Sequence, residues 1–441
     1  MRLYKMKIIV TGLIFFTFCM ATTCYPQNNE GFVNKQNSFS KIKDFATGFH
    51  GFGETGFGSR LQSDDRQKHS VIYHEYRFQL EYARRIKEID LRYKSDFVYD
   101  AWKGTFIYDL REANAFLYPF DWMDVKAGRQ ILTWGTGDFL FLNDLFPKDY
   151  QSFFIGREDE YLKAPSTALK VSIYPEIFKQ QFNIDFVWTP IFERDRFITG
   201  ERLSYFNNLL DSKAGFKNQV HYEMPDRTLR NSEYAARISK NFSGVESAFY
   251  FYKGFFPQPL AFDFKSRRNI FPELASYGGS VQSSVFGGIG NFEIAYYDSI
   301  DDREGEDPFV ENSFLKGLIG YNRELIKNLT FGTQYYVELM MDYDRYTKTY
   351  PVNELKANQA RHLVTFRLTQ LMFMENLKIS VFTFYSPNDE DIYIRPSLIY
   401  KWSDHLEFTI GGNIFAGREE HTFFGQMEDN SNIYARVRYS F

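Results

Sequence analysis

The sequence predicts an all-β fold: a transmembrane antiparallel β-barrel of about 18 strands, with short turns at one end and long loops at the other. Three observations carry this. Phe, Tyr and Trp make up 19% of the 441 residues, with 48 Phe and 31 Tyr, yet mean hydropathy is -0.41 and 24% of residues are charged. A water-soluble protein hides most of its rings in one core, whereas a membrane barrel spreads rings round its outside and lines its inside with charge. The second is alternation: from Val71 onward, stretches of about ten residues alternate apolar with polar and end in turns. The third is rhythm, because the gaps between these stretches alternate short with long. Short turns on the periplasmic side and long outer loops are the rule in such barrels, which places both ends of the barrel in the periplasm.

The N-terminus lies outside that fold. Arg2, Lys5 and Lys7 precede an apolar run at 8–19 and small or polar residues at 21–23, the pattern of a cleaved secretory signal over 1–24. Cleavage after Ala21 and cleavage close to Cys24 both fit, and Thr22 and Thr23 are poor companions for a lipid-anchored Cys24. Removing the signal takes the formal charge from -4 to -7, since three cations leave with it. Both cysteines, Cys19 and Cys24, sit in or beside this segment. The folded body then holds no disulfide, no zinc–thiolate site and no covalent haem, so no cofactor and no metal is expected. Residues 25–47 read as a periplasmic segment and 48–441 as the barrel. Past the signal no run of 18 apolar residues occurs, which excludes helical membrane spans. Nothing in the charge pattern points to nucleic acid.

Individual strands follow the pattern. Tyr76, Phe78, Leu80 and Tyr82 share one face and Glu75, Arg77, Gln79 and Glu81 the other; the next strand sets Ile89, Leu91, Tyr93, Phe97 and Tyr99 against Asp90, Arg92, Lys94 and Asp96. Charges on every second residue of a strand cannot face lipid. Phe182, Ile184, Phe186 and Trp188, then Leu329, Phe331, Tyr335, Val337 and Leu339, then Leu406, Phe408, Ile410 and Ile414 repeat the apolar row. The glycine-rich stretch 48–59 alternates poorly, because Phe49, Phe52 and Phe57 do not share a face. Counting it gives 18 strands and omitting it gives 16; either number leaves an aqueous interior. At the C-terminus Ile433, Ala435, Val437, Tyr439 and Phe441 alternate with Tyr434, Arg436, Arg438 and Ser440. A last strand ending on an aromatic residue resembles the assembly signal of bacterial outer-membrane proteins, which implies that Tyr439 and Phe441 are read by the barrel assembly machinery.

The stretch KAGRQILTWGTGDFLFLNDLFPKDYQSFF at 126–154, with DLREANAF at 109–116, resembles porin-like families of Gram-negative outer membranes. The nearest are the alginate-export-like group and related uncharacterised porins, in which a GRQ strand leads into a WG loop. The resemblance implies passive passage of a hydrophilic solute in an outer membrane, without fixing the solute; an oligomer is compatible with it. The gap at 134–165 mixes Phe139, Phe141, Leu142, Leu145 and Phe146 with Asp138, Asp144, Asp149, Glu158, Asp159 and Glu160. It either folds into the lumen as a constriction, with Asp138, Asp144 and Asp149 as candidate residues, or caps the outer loops. The gap at 190–231 offers the opposite sign with Arg194, Arg196, Arg202 and Lys213.

Strand phase gives the candidate pore-lining set. Val364, Phe366 and Leu368 point to lipid, leaving Arg361 and Arg367 inside; Ile392, Ile394, Leu398 and Tyr400 do the same for Arg395 and Lys401, and the last strand adds Arg436 and Arg438. Lys378, His405 and Glu407 lie on the strands between. Arg77, Glu81, Asp90 and Arg92 line strands two and three, where Glu75, Glu81, Asp90 and Asp96 make an acidic wall across the closing seam from the basic one; the opposed walls are expected to set up a transverse field, with a modest preference for anions. Arg129 breaks the alternation, since Val125, Ala127, Arg129 and Ile131 share a face; a bulge at Gly128 would turn it inward, and otherwise it snorkels at the interface.

Catalytic constellations are missing: the seven histidines are scattered, and no zinc-protease motif, phosphate loop or nucleophile elbow occurs. Inward carboxylates such as Glu81, Asp90, Asp185 and Glu293 read as solvated or paired. No enzyme is expected. The alternative to a channel is a barrel acting as a sleeve for a periplasmic or extracellular partner such as a multihaem cytochrome; an outer-membrane hydrolase ranks below both.

Overall fold

A computed structural model describes residues 48–351 and 355–441. The expected signal at 1–24 and periplasmic segment at 25–47 lie outside the described residues. From Phe49 to Phe441 the chain is one compact unit built on a single eighteen-stranded sheet. The strands are β1 Phe49–Arg60, β2 Val71–Ile86, β3 Ile89–Asp100, β4 Thr105–Phe120, β5 Met123–Gln130 and β6 Ser166–Ile173. They continue with β7 Asn183–Thr189, β8 Glu233–Phe242, β9 Val245–Phe255, β10 Glu273–Val285, β11 Gly288–Ser299 and β12 Phe314–Ile326. The last six are β13 Leu329–Met340, β14 Ala360–Met372, β15 Leu377–Ser386, β16 Asp391–Lys401, β17 Leu406–Gly417 and β18 Asn432–Ser440. Each pairs antiparallel with the next, and β18 pairs with β1 from Phe52↔Ser440 to Arg60↔Asn432, which closes the barrel. Among the described residues no helix is long and apolar enough to cross a membrane, so crossing falls to the strands.

Alternation sets the two faces. In β2 and β3 the row Glu75, Arg77, Gln79 and Asp96 is buried toward the interior, while Tyr76, Phe78 and Phe97 are exposed on the outside. Outward rings meet across strands, as in Tyr99–Phe106 at 4.8 Å and Phe97–Tyr108 at 5.3 Å between centroids. These pairs make the lipid-facing belt, where amphipathic rings suit the interface. The short turns also follow the expected geometry: Ser243 and Gly244, and Phe286 and Gly287, take positive φ, which gives two-residue hairpins the right twist.

β1 is a full strand, so the count is 18 and not 16. Its weak alternation comes from glycines on both rows, with Gly56 and Gly58 on the inward one. A Cβ at Gly56 would lie 2.3 Å from the Tyr73 ring, so the inward face of β1 is hollowed to seat that tyrosine. Phe52 turns inward, buried, while Phe57 faces out.

Two expectations fail. The pairing of β4 with β5 runs through Asn114↔Gly128 and Ala113↔Arg129 without a shift, so Gly128 makes no bulge despite its φ of 118°. Arg129 therefore stays on the outward row with Ala113 and Thr167, near the outer rim, and pairs with Glu193 at 2.9 Å. The slip in this region falls instead in β3–β4, between Lys94 and Ser95; it lets Arg111 turn in beside Asp109. The second failure concerns the charged walls. The acidic rows of β2 and β3 do lie across the closing seam from the basic row of β18, but only one strand, β1, separates β2 from β18, so the two rows stand side by side and do not form opposed walls. The far wall, β8 to β11, presents small neutral residues such as Ala235, Ser239, Ala248, Ser276, Ser280 and Ala295.

The terminal residue is part of the closure. Phe441 and Gly51 exchange backbone hydrogen bonds of 3.0 and 3.2 Å, and the Phe441 ring stacks on Phe78 at 5.7 Å. Deleting Phe441 is expected to lower the fraction of chain that reaches the heat-modifiable, detergent-resistant state, read by gel migration with and without boiling. Equal assembly of the truncated chain would contradict a closing role for this residue.

Candidate functional site

The gap after β5 runs inward. Beyond the end of β5 at Gln130, the chain passes Trp134, whose ring meets Phe146 edge-on at 5.0 Å, crosses to β11 and seats its WGTG turn on Glu293. That carboxylate is fully buried and accepts from Thr136 Oγ1 at 2.7 Å, Gly137 N at 2.9 Å and Asn143 Nδ2 at 2.9 Å, and also from Thr136 N. Glycine at 135 has φ 82°, the left-handed bend that points these donors at one acceptor. On β13, Gln334 accepts from Asp138 N at 2.7 Å and donates to Asp138 O at 2.9 Å. Asp138 then pairs with Arg367 of β14 at 3.0 Å, and the guanidinium lies 4.7 Å from the Phe139 ring and 4.8 Å from Phe382.

A short helix, α1 Tyr150–Ile155, sits inside the barrel. Asp149 caps it by accepting from Ser152 N at 2.8 Å, and Gly156 ends it with φ 92°. A Cβ at Gly156 would fall 2.2 Å from the Tyr434 ring, so only glycine passes this point. Phe153 and Phe154 meet Tyr393 at 6.0 and 5.5 Å, and Phe154 meets Phe415 at 5.5 Å. Asn432 Nδ2 donates to Phe154 O at 3.0 Å. The helix is thus held by an apolar cluster within an otherwise polar lumen. Beyond it, Tyr161 lies between the guanidinium groups of Arg77 and Arg111, 4.2 and 4.7 Å away.

The gap at 190–231 braces this segment from outside. Arg196 bridges Asp109 at 2.7 Å and Asp149 at 3.2 Å; Arg202 pairs with Glu75 and Asp100 and stacks 4.7 Å from Trp102. Asp195 accepts from Lys148 N at 2.7 Å. Burial pushes its carboxyl up to about 6, against the pull of the Lys148 cation. Lys148 Nζ in turn pairs with Asp144 at 2.9 Å and donates to Phe146 O at 2.6 Å.

The predicted residues divide into several groups. Arg361, Arg367, Arg395, Arg436 and Arg438 stand on the inward rows, paired with Asp389, Asp138, Asp159 and, for the last two, Glu54 and Glu158. Arg77 pairs with Asp96 and Glu75, Glu81 with Lys94 at 2.7 Å, and Asp90 with Arg85 at 3.6 Å. Arg92, Lys378 and Lys401 have no ion-pair partner among the described residues. Of the constriction candidates only Asp138 reaches the opposite wall; Asp144 and Asp149 bind within the loops. Tyr439 and Phe441 lie on the outward row. Sequence reasoning missed Glu293 as the receptor of the inward turn, and missed Phe382, Phe384, Tyr393, Phe415 and Tyr434. The signal for the rings was there: they occupy the phase of the charged row, where a ring has no reason to sit unless something apolar enters the lumen.

No family model and no curated protein matches this chain by sequence. By structure it is similar to OccAB3 and OccAB4 of Acinetobacter baumannii, at 10% and 9% identity and TM-scores of 0.53 and 0.52; each covers 89% of this chain, and 98% and 97% of theirs is covered. OccK5 of Pseudomonas aeruginosa is similar at 10% identity and a TM-score of 0.51, covering 89% of this chain and 96% of its own. These are outer-membrane porins. The fold is that of an outer-membrane barrel. Its outward belt of rings faces lipid, and its inward rows surround a segment anchored on the far wall by one carboxylate.

Removing residues 136–156 is expected to raise single-channel conductance in planar bilayers; an unchanged value would place the segment outside the conducting path. Glu293→Ala strands four donors, each costing about 1–3 kcal/mol when left buried and unpaired, so it should give larger or unsteady openings with the barrel intact. The buried Asp195 sets a pH dependence. Its folded value exceeds the ordinary 3.8, so the native state holds a proton that the unfolded chain has lost, and stability falls as pH rises from there to about 6. Asp195→Asn should flatten that decline in the unfolding temperature of the detergent-solubilised barrel.

Proposed function

We propose that this chain is an outer-membrane channel for passive passage of small hydrophilic solutes, with a modest preference for anions. What carries the reading is the size and lining of the interior: eighteen strands enclose a lumen that wall side chains alone do not fill, its inward rows carry many charged groups beside an aromatic cluster, and the segment crossing it is tied to the wall by hydrogen bonds, ring contacts and ion pairs. Such a segment narrows a passage while keeping it wet. Anion preference rests on the inward guanidinium row of β14, β16 and β18 and on Arg92 and Lys378, whose cations have no carboxylate within ion-pair distance among the described residues. Guanidinium groups spaced along a wall suit carboxylates and phosphates through paired hydrogen bonds, although mutual pairing and salt screening keep the effect small. Acidic sugars and organic acids fit this chemistry, and the resemblance of residues 126–154 to alginate-export-like porins agrees with it. Export through the signal at 1–24 and recognition of the last strand by the assembly machinery complete the proposal. An interior taken up by the chain's own residues 134–165 weighs against the sleeve alternative.

Replacing Arg367, Arg395 and Arg436 with Gln removes three inward cations and frees Asp138 and Asp159 from their partners, while Glu54 and Glu158 keep Arg438. The reversal potential under a salt gradient should then move toward cations. No movement at low ionic strength would overturn the anion preference.

A further inference from the structure

Charge is unevenly matched on the outer face. Arg196, Lys213, Arg303 and Arg418 each pair with a carboxylate there. Arg227, Arg230, Lys265, Arg267 and Arg268 are all exposed, and among the described residues none of them has a carboxylate within ion-pair distance. They sit on the loops that enter β8 and that join β9 to β10, so their roots are neighbours in the wall. One more cation with no such partner stands below them. Lys253 is exposed on the outward row of β9, two residues from the strand's outer end, level with Tyr234 of β8 and Ala275 of β10.

The loops that carry these cations are folded on a core of their own. Ala261–Asp263 and Arg268–Ile270 form a hairpin, Tyr222–Glu223 pairs in parallel with its second strand, and Ala261 bridges to Val310 of the next loop. Beneath the hairpin Phe192, Phe197, Phe255 and Phe271 make a buried cluster on which Tyr222 packs, and Arg194 donates to the Tyr222 hydroxyl at 2.7 Å. The hairpin's one acid, Asp263, is occupied by its own turn, accepting from Lys265 N at 2.9 Å and Ser266 N at 3.1 Å. Lys265, Arg267 and Arg268 are therefore held on a fixed tip, with Phe264, 58% exposed, beside them. An ordered tip that gathers like charges without a counter-ion of its own is complementary to an anionic partner.

We propose that Lys253, the hairpin tip and Arg227 with Arg230 form a docking surface for lipopolysaccharide, the phosphorylated glycolipid of the outer leaflet. Depth selects this partner. Lys253 lies on the lipid-facing wall close to its outer end, where its ammonium reaches the headgroup level and meets a lipid A phosphate. The loop cations lie beyond the strand ends, where the core sugars carry further phosphates and carboxylates, and guanidinium groups bind such oxyanions through paired hydrogen bonds. A phospholipid places its phosphate at one depth only, so it engages Lys253 and leaves the hairpin free. Phe264 and Tyr234 add ring faces for the glycolipid's sugars and acyl chains. The surface is outside the lumen, and its role is independent of which solute passes.

The test is titration of the detergent-solubilised barrel with lipopolysaccharide, with the same lipopolysaccharide after enzymatic dephosphorylation, and with phosphatidylglycerol, read as bound lipid by native mass spectrometry. The unmodified chain should bind the phosphorylated glycolipid about tenfold more tightly than either of the others. The variant Lys265→Gln, Arg267→Gln, Arg268→Gln should lose about fivefold in affinity for lipopolysaccharide and keep its affinity for phosphatidylglycerol, because exposed charge contacts are individually weak and act together. Lys253→Gln should weaken both lipids. Arg227→Gln with Arg230→Gln, on the other loop, gives the hairpin's readout if the triple variant does not assemble. Lipopolysaccharide binding that ignores the phosphates, or that is unchanged in the loop variants, overturns the proposal. Phosphatidylglycerol binding as tight as that of lipopolysaccharide overturns it too, and leaves Lys253 as a contact for any anionic lipid.

Discussion

The backbone has no water to bond with inside hydrocarbon, and each unpaired amide there costs several kcal/mol. A sheet can cross only if it has no edge. The pairing of β18 with β1 is therefore the contact on which the rest of this structure depends. It fixes the strand number, brings the glycine-hollowed β1 beside Tyr73 and Tyr434, and draws the acidic rows of β2 and β3 next to the basic rows of β16 and β18. Glu54, on β1 itself, bridges to Arg436 and Arg438 across that seam.

Closure with eighteen strands creates a second constraint, because the circumference is too large for wall side chains to fill the middle. The inward segment answers it with two unlike kinds of contact. At the far wall one buried carboxylate, Glu293, collects donors from a glycine turn, an arrangement that fixes position through hydrogen-bond direction. Along β15 to β18 the rings of Phe153 and Phe154 dock on inward aromatics, which bury area without demanding direction. Between them the ion pairs of Asp138, Glu158, Asp159 and Glu160 neutralise the wall. Cutting one partner of a buried pair leaves an uncompensated charge at a cost of about 3–5 kcal/mol, so the wall and the segment are mutually dependent at their buried end and loosely coupled where they meet the lumen.

The outer loops add a third layer. Arg196 and Arg202 enter from above and satisfy Asp109, Asp149, Glu75 and Asp100, so the acidic row of β2 to β4 is neutralised by loops as well as by its own neighbours. The charge separation between walls that strand phase alone suggests is dissolved by these pairings. What remains is a lumen whose fixed charges are mostly matched and whose unmatched cations are few.

Strand phase was legible in the chain because alternation in a barrel is strictly periodic: a residue's side of the wall follows from counting along its own strand. Arg361, Arg367, Arg395, Arg436 and Arg438 were placed inward on that basis, and Tyr439 and Phe441 outward. The alternation of turn and loop lengths likewise gave the orientation, and the terminal Phe441 marked the last strand. Counting fails where contacts are not local. Whether 134–165 enters the lumen depended on Glu293 and Gln334, which lie 150 or more residues along the chain from the groups they bind, and on inward rings whose phase only makes sense once the segment is there. Gly128 carried a bulge's signature, yet the register with Ala113 and Thr167 held and left Arg129 outside. The sequence determined by itself which side of the wall a strand residue takes wherever the register is unbroken, since that is a property of the polypeptide repeat; at Arg111 a slip decides it. Which charges meet was decided only by tertiary structure, since closure and loop entry bring together groups that no periodicity relates.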